Sequence, residues 1–307
     1  MTERIFVQVH GRPVAVRVLG EESAPVVALV HGIASDADSW GSVPEWLAER
    51  AGVRVVVPEL FAAGGSVSGN QDFSLGSYAA GLRDVLFALG HERATVIGHS
   101  LGGGVAMQYT YLFPHLVERL GLISSGGLGR GVSPVLTAAT LPGAELVVPL
   151  LATARVRRAG SMLLRVCDAV ARFIPGASTT ELREVGRGIG AFADPHVRLA
   201  FLSTVRHVLD VKGQRISARD RLPYAADVPV LFVHGARDTI IPERHSARAH
   251  SEVPGSRYEV MPNVGHFPHL EQPALFVSTL LQWMVETEPA QLTEAMFRER
   301  LRGALPV

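Results

Sequence analysis

Cysteine is almost absent from the sequence, and neither sign of charge predominates. The 307 residues include one cysteine, Cys167. A single cysteine excludes an intramolecular disulfide framework and is typical of a reducing compartment, so we expect a cytoplasmic protein. The 29 Lys and Arg residues balance the 29 Asp and Glu residues, which gives a formal net charge of zero. This balance argues against nucleic acid or an anionic membrane surface as the main partner.

Long apolar runs and metal-ligand patterns are missing as well. The longest apolar candidates, at residues 26–30 and 146–152, fall well below the ~18 residues that a transmembrane helix needs. The positive mean hydropathy therefore indicates a large buried core. The twelve histidines show no metal-ligand spacing, and no phosphate loop or dinucleotide fingerprint follows the first strand. We expect neither a metal nor a cofactor.

What the sequence does contain is an alternation of strand and helix patterns. Residues 5–9 and 14–18 alternate apolar and polar side chains around a Gly-Arg-Pro turn, which predicts a hairpin. Further strands are predicted at residues 26–30, 53–57, 94–97, 120–123, 230–233 and 257–261. Helical patterns lie at residues 40–50, 75–89, 101–113, 273–285 and 291–301. This order predicts an α/β protein with a mostly parallel, doubly wound sheet of about eight strands.

Residues 127–222 have a different pattern, with no convincing strand. Helices are predicted at residues 141–149, 162–171 and 195–211. Ser178 and Glu181 form a capping-box pattern at the start of another helix. We therefore predict an all-helical insertion after the sixth strand, within a core made of residues 1–126 and 223–307.

The sharpest motif is Gly-His-Ser-Leu-Gly at residues 98–102. It lies between a predicted strand and a predicted helix, which is the setting of a G-x-S-x-G nucleophile elbow. The tight turn strains the serine backbone, and glycine avoids clashes two residues before and two residues after it. We predict that Ser100 is the catalytic nucleophile and that the backbone N–H of Leu101 faces the reacting carbonyl.

A serine hydroxyl is a weak nucleophile, so a base is expected nearby. His266 follows one predicted strand, and Asp238 follows the strand before it. The carboxyl ends of strands are where such folds hold catalytic groups. Asp238 would hold the imidazole of His266 in the correct tautomer and stabilise its cation.

An oxyanion hole is predicted after the strand at residues 26–30, which runs into His-Gly-Ile at residues 31–33. A backbone N–H at this point would join that of Leu101 in binding a developing oxyanion. Ile33 is the favoured donor, and Ala34 is the alternative.

Taken together, these motifs resemble the α/β-hydrolase superfamily, in its serine-nucleophile branch with a helical cap. Four motifs carry the resemblance: His-Gly at 31–32, Gly-His-Ser-Leu-Gly-Gly at 98–103, G-x-x-D-x-x-x-P at 235–242, and Gly-His with Glu-x-Pro within 265–273. The catalytic residues follow the order Ser, Asp, His of that superfamily. The resemblance implies that residues 127–222 cover the nucleophile as a cap. One departure lies at 59–66, where the family's D-x-x-G-x-G-x-S stretch keeps Gly64 and Ser66 but loses its aspartate.

The resemblance implies a serine hydrolase that cleaves a carboxylic ester or related acyl bond through an acyl-enzyme. The Leu, Val and Ala side chains of the cap favour a small, largely apolar substrate. Ser100 separates the chain from relatives whose elbow carries an aspartate nucleophile. Two alternatives stay open: a triad-based lyase, carbon–carbon hydrolase or cofactor-free perhydrolase, and a ligand-binding receptor on the same scaffold that turns nothing over.

Overall fold

The computed structural model of the protein describes residues 3–9, 11–59, 72–151, 153, 179–218, 221–222 and 227–303. The strands in these residues are β1 (Glu3–Val9), β2 (Arg12–Leu19), β3 (Val26–Val30), β4 (Arg54–Pro58), β5 (Ala94–His99), β6 (Val117–Ile123), β7 (Leu209–Asp210), β8 (Gly213–Gln214), β9 (Val230–Gly235) and β10 (Arg257–Met261). The helices are α1 (Val43–Ala51), α2 (Leu75–Ala88), α3 (Leu101–Leu112), α4 (Pro134–Ala138), α5 (Ala144–Leu151), α6 (Thr179–Ala191), α7 (Pro195–Val208), α8 (Arg244–Glu252), α9 (Pro268–Glu271), α10 (Pro273–Glu286) and α11 (Glu294–Leu301).

Eight of these strands form one sheet in the order β1-β2-β4-β3-β5-β6-β9-β10. The pairs β1–β2 and β2–β4 are antiparallel, and the remaining pairs are parallel. The predicted mostly parallel sheet of about eight strands is therefore confirmed. The parallel arrangement brings the carboxyl ends of β3, β5, β6, β9 and β10 to one edge, where the site residues lie.

The sheet is buried on both faces because its central strands are almost wholly apolar. Every residue of β3 is buried, as is every residue of β5. One core layer packs α2 and α3 against the sheet, with Leu82 and Tyr109 in its interior. The other packs α1 and α10 against the opposite face, with Trp40 and Trp283 fully enclosed. No helix in the described residues is both long and apolar enough to cross a membrane.

The chain between β6 and β9 departs from the all-helical prediction in one respect. It contains α4 to α7, but β7 and β8 also form a two-stranded antiparallel pair there. The helix predicted to reach residue 211 ends at Val208, and β7 begins at the next residue. Strands of two residues are too short to show an alternating pattern. Their tight turn depends on Gly213, whose φ is +111°. The helix predicted at 162–171 and Ser178 lie outside the described residues.

The N-terminal turn of α3 approaches the end of β3 very closely at Gly102. A Cβ atom at this position would lie 2.1 Å from the carbonyl oxygen of Val30 and 2.5 Å from that of His31. Gly104, on the same helix, has open surroundings by comparison, because its Cβ would meet only Leu75, at 3.6 Å. The first glycine is therefore required by packing, and the second is not.

Gly102→Ala is expected to destabilise the protein by about 3 kcal/mol, because backbone atoms of β3 must move to admit the methyl group. Gly104→Ala is the matched control, and it is expected to be neutral or stabilising by up to ~1 kcal/mol through better helix propensity. The free energy of unfolding of the two variants, measured in denaturant, compares them directly. Equal destabilisation by both substitutions would contradict the packing argument.

Candidate active site

Ser100 occupies a strained turn between β5 and α3. Its φ of 55° and ψ of −119° lie in a region that non-glycine residues rarely adopt. The turn is fixed from outside, because the Ser100 N–H donates to the Ile123 carbonyl of β6 at 2.9 Å. Gly98 is also required here, since a Cβ on it would lie 2.2 Å from the Gly102 carbonyl oxygen. The predicted elbow geometry is thus present at the predicted serine.

Asp238 and His266 come together from the ends of β9 and β10. The His266 Nδ1 atom lies 2.7 Å from Asp238 Oδ2, and both side chains are almost fully buried. Because a carboxylate can only accept, Nδ1 carries the proton and Nε2 is left with a lone pair. No hydrogen bond joins the Ser100 hydroxyl to His266, although both residues are described. Such contacts are often long in unliganded sites and tighten with substrate.

The Asp238 carboxylate accepts hydrogen bonds from several directions. Its Oδ1 atom accepts from the N–H groups of Ile240 and Ile241, each at 2.8 Å. Its Oδ2 atom accepts from His266 and also lies 3.0 Å from Nε2 of His234. Burial by itself raises the pKa of Asp238, but the charge of His266 and the hydrogen bonds from both histidines outweigh it. The pKa therefore lies far below its ordinary value, and the group is a carboxylate at neutral pH.

His234 is a site residue that the sequence reasoning missed. It lies on β9, is fully buried, and its Nε2–H faces both Asp238 and the Ile241 carbonyl at 3.0 Å. Its other nitrogen, Nδ1, lies 2.8 Å from the Ser246 hydroxyl of α8. This histidine therefore contacts the same carboxylate oxygen of Asp238 that accepts from His266. The available signal was its place four residues before Asp238 at the end of a strand.

The backbone of His266 is held as firmly as its side chain. Its carbonyl oxygen accepts from Nε2 of His99 at 2.8 Å, and its N–H lies 3.3 Å from Oε2 of Glu181. The carboxylate of Glu271 accepts from the N–H of Gly265 at 3.1 Å. The loop that carries the imidazole is thus fixed by neighbours on β5, α6 and α9.

Three further histidines underlie the site and are neutral. Burial lowers the pKa of His31 to about 4 and that of His269 to about 3. Burial also lowers the pKa of His99 well below its ordinary value. The rings of His99 and His269 pack on each other and on Trp40, with centroids 4.6 to 6.5 Å apart. These side chains act as packing and hydrogen-bonding groups beneath Ser100.

The predicted oxyanion donors lie beside Ser100 at the mouth of an apolar pocket. Leu101 is the first residue of α3, where the helix leaves its N–H groups without internal partners. Within the described part of the chain, the N–H groups of Ile33, Ala34 and Leu101 have no hydrogen-bond partner. Ala34 has a φ of 53°, so the loop turns sharply there. Both Ile33 and its alternative therefore stay available as the second donor.

The pocket beside Ser100 is lined almost entirely by apolar groups. Its unfilled space, with the open mouth included, is about 550 Å³, which is within the usual range for small-molecule sites. It is lined by Ile33, Leu75, Ser100, Leu101, Gly104, Gly126, Gly127, Val132, Leu136, Val205, Val208, Leu209, Gln214, Ile216 and Ile241. The Gln214 amide is already engaged, since its Oε1 accepts from the Gly127 N–H at 2.5 Å.

Other residues singled out from the sequence lie outside the described residues or away from Asp238 in the sheet order. Cys167 and residues 60–66 lie outside the described residues, so the predicted departure at 59–66 can be placed only at Glu59. Glu59 follows β4, which β3, β5 and β6 separate from β9 in the sheet, and it pairs with Arg4 at 2.8 Å. Within the residues that the structure describes, no cluster of His, Cys, Asp and Glu could hold a metal ion.

The fold and this arrangement define an α/β-hydrolase. The model of the alpha/beta hydrolase family matches residues 27–279, which is most of the chain. The chain belongs to this family, and the resemblance inferred from four motifs is confirmed.

Individual relatives differ in what is known of them. An uncharacterised protein of Mycobacterium tuberculosis is 38% identical over 97% of this chain and 85% of its own length. An sn-1-specific diacylglycerol lipase of mouse is 24% identical over 86% of this chain and 82% of its own. The structure of a thermophilic esterase from Thermogutta terrifontis superposes with a TM-score of 0.68, at 22% identity, over 92% of this chain and 98% of its own. The lipase and the family membership support hydrolase activity, and the esterase structure supports the fold.

Asp238→Asn is expected to destabilise the protein by about 1–3 kcal/mol at neutral pH, because the new amide points a donor at existing N–H donors. The folded pKa of Asp238 lies below its unfolded value of 3.8, so its contribution is present above that value and is lost as pH falls. The difference between wild type and variant should be constant from about pH 7 to 5 and shrink below about pH 4. Unfolding free energies measured across this range test the prediction, and a difference that grows in acid would contradict it.

Proposed function

We propose that the protein is a serine hydrolase that cleaves a carboxylic ester or related acyl bond of a small, largely apolar substrate. Ser100 is the nucleophile, His266 the base and Asp238 the acid that orients it. The proposal is supported above all by the buried hydrogen bond between His266 Nδ1 and Asp238 Oδ2, which leaves Nε2 free to accept a proton. The strained backbone of Ser100, at the end of β5, supports the assignment of the nucleophile.

The reaction proceeds in two acyl transfers. Ser100 Oγ attacks the substrate carbonyl while its proton passes to Nε2 of His266, and the leaving alcohol departs with that proton. Water then gives its proton to His266 and attacks the acyl-enzyme, which releases the acid and restores Ser100. Asp238 stays ionised throughout, because the two histidines and two backbone N–H groups stabilise its charge.

Negative charge develops on the substrate's carbonyl oxygen in each step, and backbone N–H groups stabilise it by donating hydrogen bonds. The N–H of Leu101 and that of Ile33 form the oxyanion hole, with Ala34 as the alternative to Ile33. These groups are preorganised, since the start of α3 is held against β3 by the Gly102 contact. They consequently need no reorganisation when the oxyanion forms.

The substrate's apolar part occupies the pocket next to Ser100. Helices between β6 and β9 supply much of its wall, including Leu136 of α4 and Val205 and Val208 of α7. We infer that residues 127–222 form a cap over the nucleophile, as the family resemblance implies. An apolar wall rewards apolar acyl or alcohol groups through removal of their surface from water.

Fluorophosphonate labelling followed by ester turnover tests this function. A fluorophosphonate probe is expected to modify Ser100, identified by mass spectrometry of the labelled peptide, and excess nitrophenyl ester is expected to be turned over many times. Labelling without multiple turnover of any ester would indicate a receptor or a different triad reaction. The absence of an adduct at Ser100 would contradict the assignment of the nucleophile.

Ser100→Ala is expected to lower kcat by about 10⁴–10⁶ on the best ester, because the acyl-enzyme can no longer form. Fold stability should change little, since the serine hydroxyl has no hydrogen bond with another described residue. Steady-state kinetics and thermal unfolding of the same preparation separate the two effects. Retention of more than about a tenth of wild-type activity would contradict the mechanism.

Activity should also depend on the length of the substrate's acyl chain. Each buried methylene contributes at most ~0.8 kcal/mol, so kcat/KM should rise by up to about fourfold per methylene from acetyl to medium-chain esters. Val208→Phe narrows the pocket and should move the optimum to shorter chains. Leu199→Phe is the matched control on α7, where the side chain is 41% exposed and outside the pocket. A flat series in the wild type, or the same shift in both variants, would show that this pocket does not hold the acyl chain.

A further inference from the structure

Helix α6 places a buried carboxylate against the loops that hold the acid and the base. Glu181 is only 8% exposed, although it lies in the first turn of a helix outside the main sheet. Its Oε2 atom faces the backbone N–H of His266 at 3.3 Å. Its Oε1 atom accepts from the hydroxyl of Thr239, the residue directly after Asp238. One side chain thus contacts both catalytic loops, which are separated by 27 residues.

A second contact, two turns further along α6, fixes the helix to the opposite side of the site. Arg187 binds both carboxylate oxygens of Asp36 at 2.7 and 2.8 Å. The adjoining Gly188 lies directly against Ala34, since a Cβ on it would be 3.0 Å from the Ala34 carbonyl oxygen. The Arg187 pair is more than one-third exposed on both sides. It attaches α6 to the loop after β3 but does not contact His266 or Asp238.

We propose that Glu181 is a positioning residue that sets the orientation of His266 relative to Asp238 through the His266 backbone N–H and the hydroxyl of Thr239, the residue next to Asp238. This inference rests on the proposed function, because it assigns a role in relation to that base and that acid. The backbone of His266 sets the point from which the imidazole projects, and it is held at the carbonyl by His99 and at the N–H by Glu181. Removal of the second contact leaves the backbone of His266 itself held by His99 alone, while Glu271 still holds the neighbouring Gly265.

Attaching a helix through a buried carboxylate costs free energy, because the charged group loses its hydration. A hydrophobic side chain would give the same attachment without removing a polar group from water. The two hydrogen bonds to the catalytic loops offset that cost and give a directional contact that apolar packing lacks. A role in geometry, rather than in attachment alone, accounts for the choice of side chain.

Substitutions of Glu181 separate these roles. Glu181→Met keeps the volume but removes both acceptors, and it should lower kcat about 10- to 100-fold, as expected for a misplaced catalytic group. Glu181→Gln should stay within about threefold of wild type, because its carbonyl oxygen accepts from the His266 N–H and its amide donates to Thr239. Glu181→Asp keeps the charge but is one methylene too short, so it should resemble the methionine variant. If the methionine variant does not fold, the kcat of Glu181→Asp tests the positioning role instead.

Arg187→Gln is the matched control for attachment of α6. It removes the ion pair with Asp36 and should leave kcat within about threefold of wild type, even where the melting temperature falls. The key readout is the downfield proton resonance of the hydrogen bond between His266 Nδ1 and Asp238. This resonance should shift or vanish in Glu181→Met and Glu181→Asp, and persist in Glu181→Gln and Arg187→Gln.

Fluorophosphonate labelling rates distinguish failure of this inference from failure of the proposed function. If wild-type Ser100 is not labelled, the proposed function itself is wrong. If wild type is labelled, and Glu181→Met reacts at the same rate with an unchanged resonance, only the positioning role of Glu181 is overturned. Equal losses of kcat in Glu181→Met and Arg187→Gln would also overturn it, since both would then act by attaching α6.

Discussion

The close approach of helix α3 to strand β3 is the contact on which the site depends. The Val30 carbonyl oxygen lies so close to the Cα atom of Gly102 that a Cβ atom at this position would clash with it. This contact fixes where α3 begins. The turn before it must then adopt the strained backbone of Ser100, which places the serine at the carboxyl edge of the sheet. The same contact sets the free N–H groups of α3 beside the loop after β3. Ser100 and the N–H of Leu101 are therefore positioned by this contact between a helix and a strand, together with the hydrogen bond from Ser100 to Ile123 of β6.

Sequence patterns predict the sheet well because its strands are distinguished by strong local signals. The runs that become β3 to β6 are mostly apolar and lack a strict alternation, and the glycine at residue 11 marks the hairpin between β1 and β2. Prediction fails where a local signal is weak or absent. The strands β7 and β8 have two residues each, which is too few for an alternating pattern of apolar and polar side chains. Their pairing depends on a tertiary contact between Gly213 and the Arg130 carbonyl. The sequence patterns also do not predict α4, a helix of only five residues.

In the candidate site, too, local patterns predict some residues and miss others. Ser100, Asp238 and His266 could be predicted because each follows a recognisable strand, and parallel strands bring their ends together. The assignment of roles to them stays a prediction. Glu181 could not be found in this way, because its partners His266 and Thr239 are brought near it only by the folded chain. His234 lies four residues before Asp238, but a histidine at the end of a strand does not by itself indicate that contact. Local reasoning gave Glu181 a place in a capping box, whereas the structure directs its carboxylate at His266 and Thr239.

The indole of Trp40 lies among the histidine rings of the candidate site, where it is a natural optical probe. Trp40 is fully buried, and its ring centroid is 4.8 Å from that of His269. Tryptophan emission is sensitive to a charged neighbour, and a protonated imidazole quenches it. Because burial holds the pKa of His269 at about 3, this neighbour is uncharged across the neutral range. A change in Trp40 fluorescence near neutral pH would therefore have a cause other than the protonation of His269.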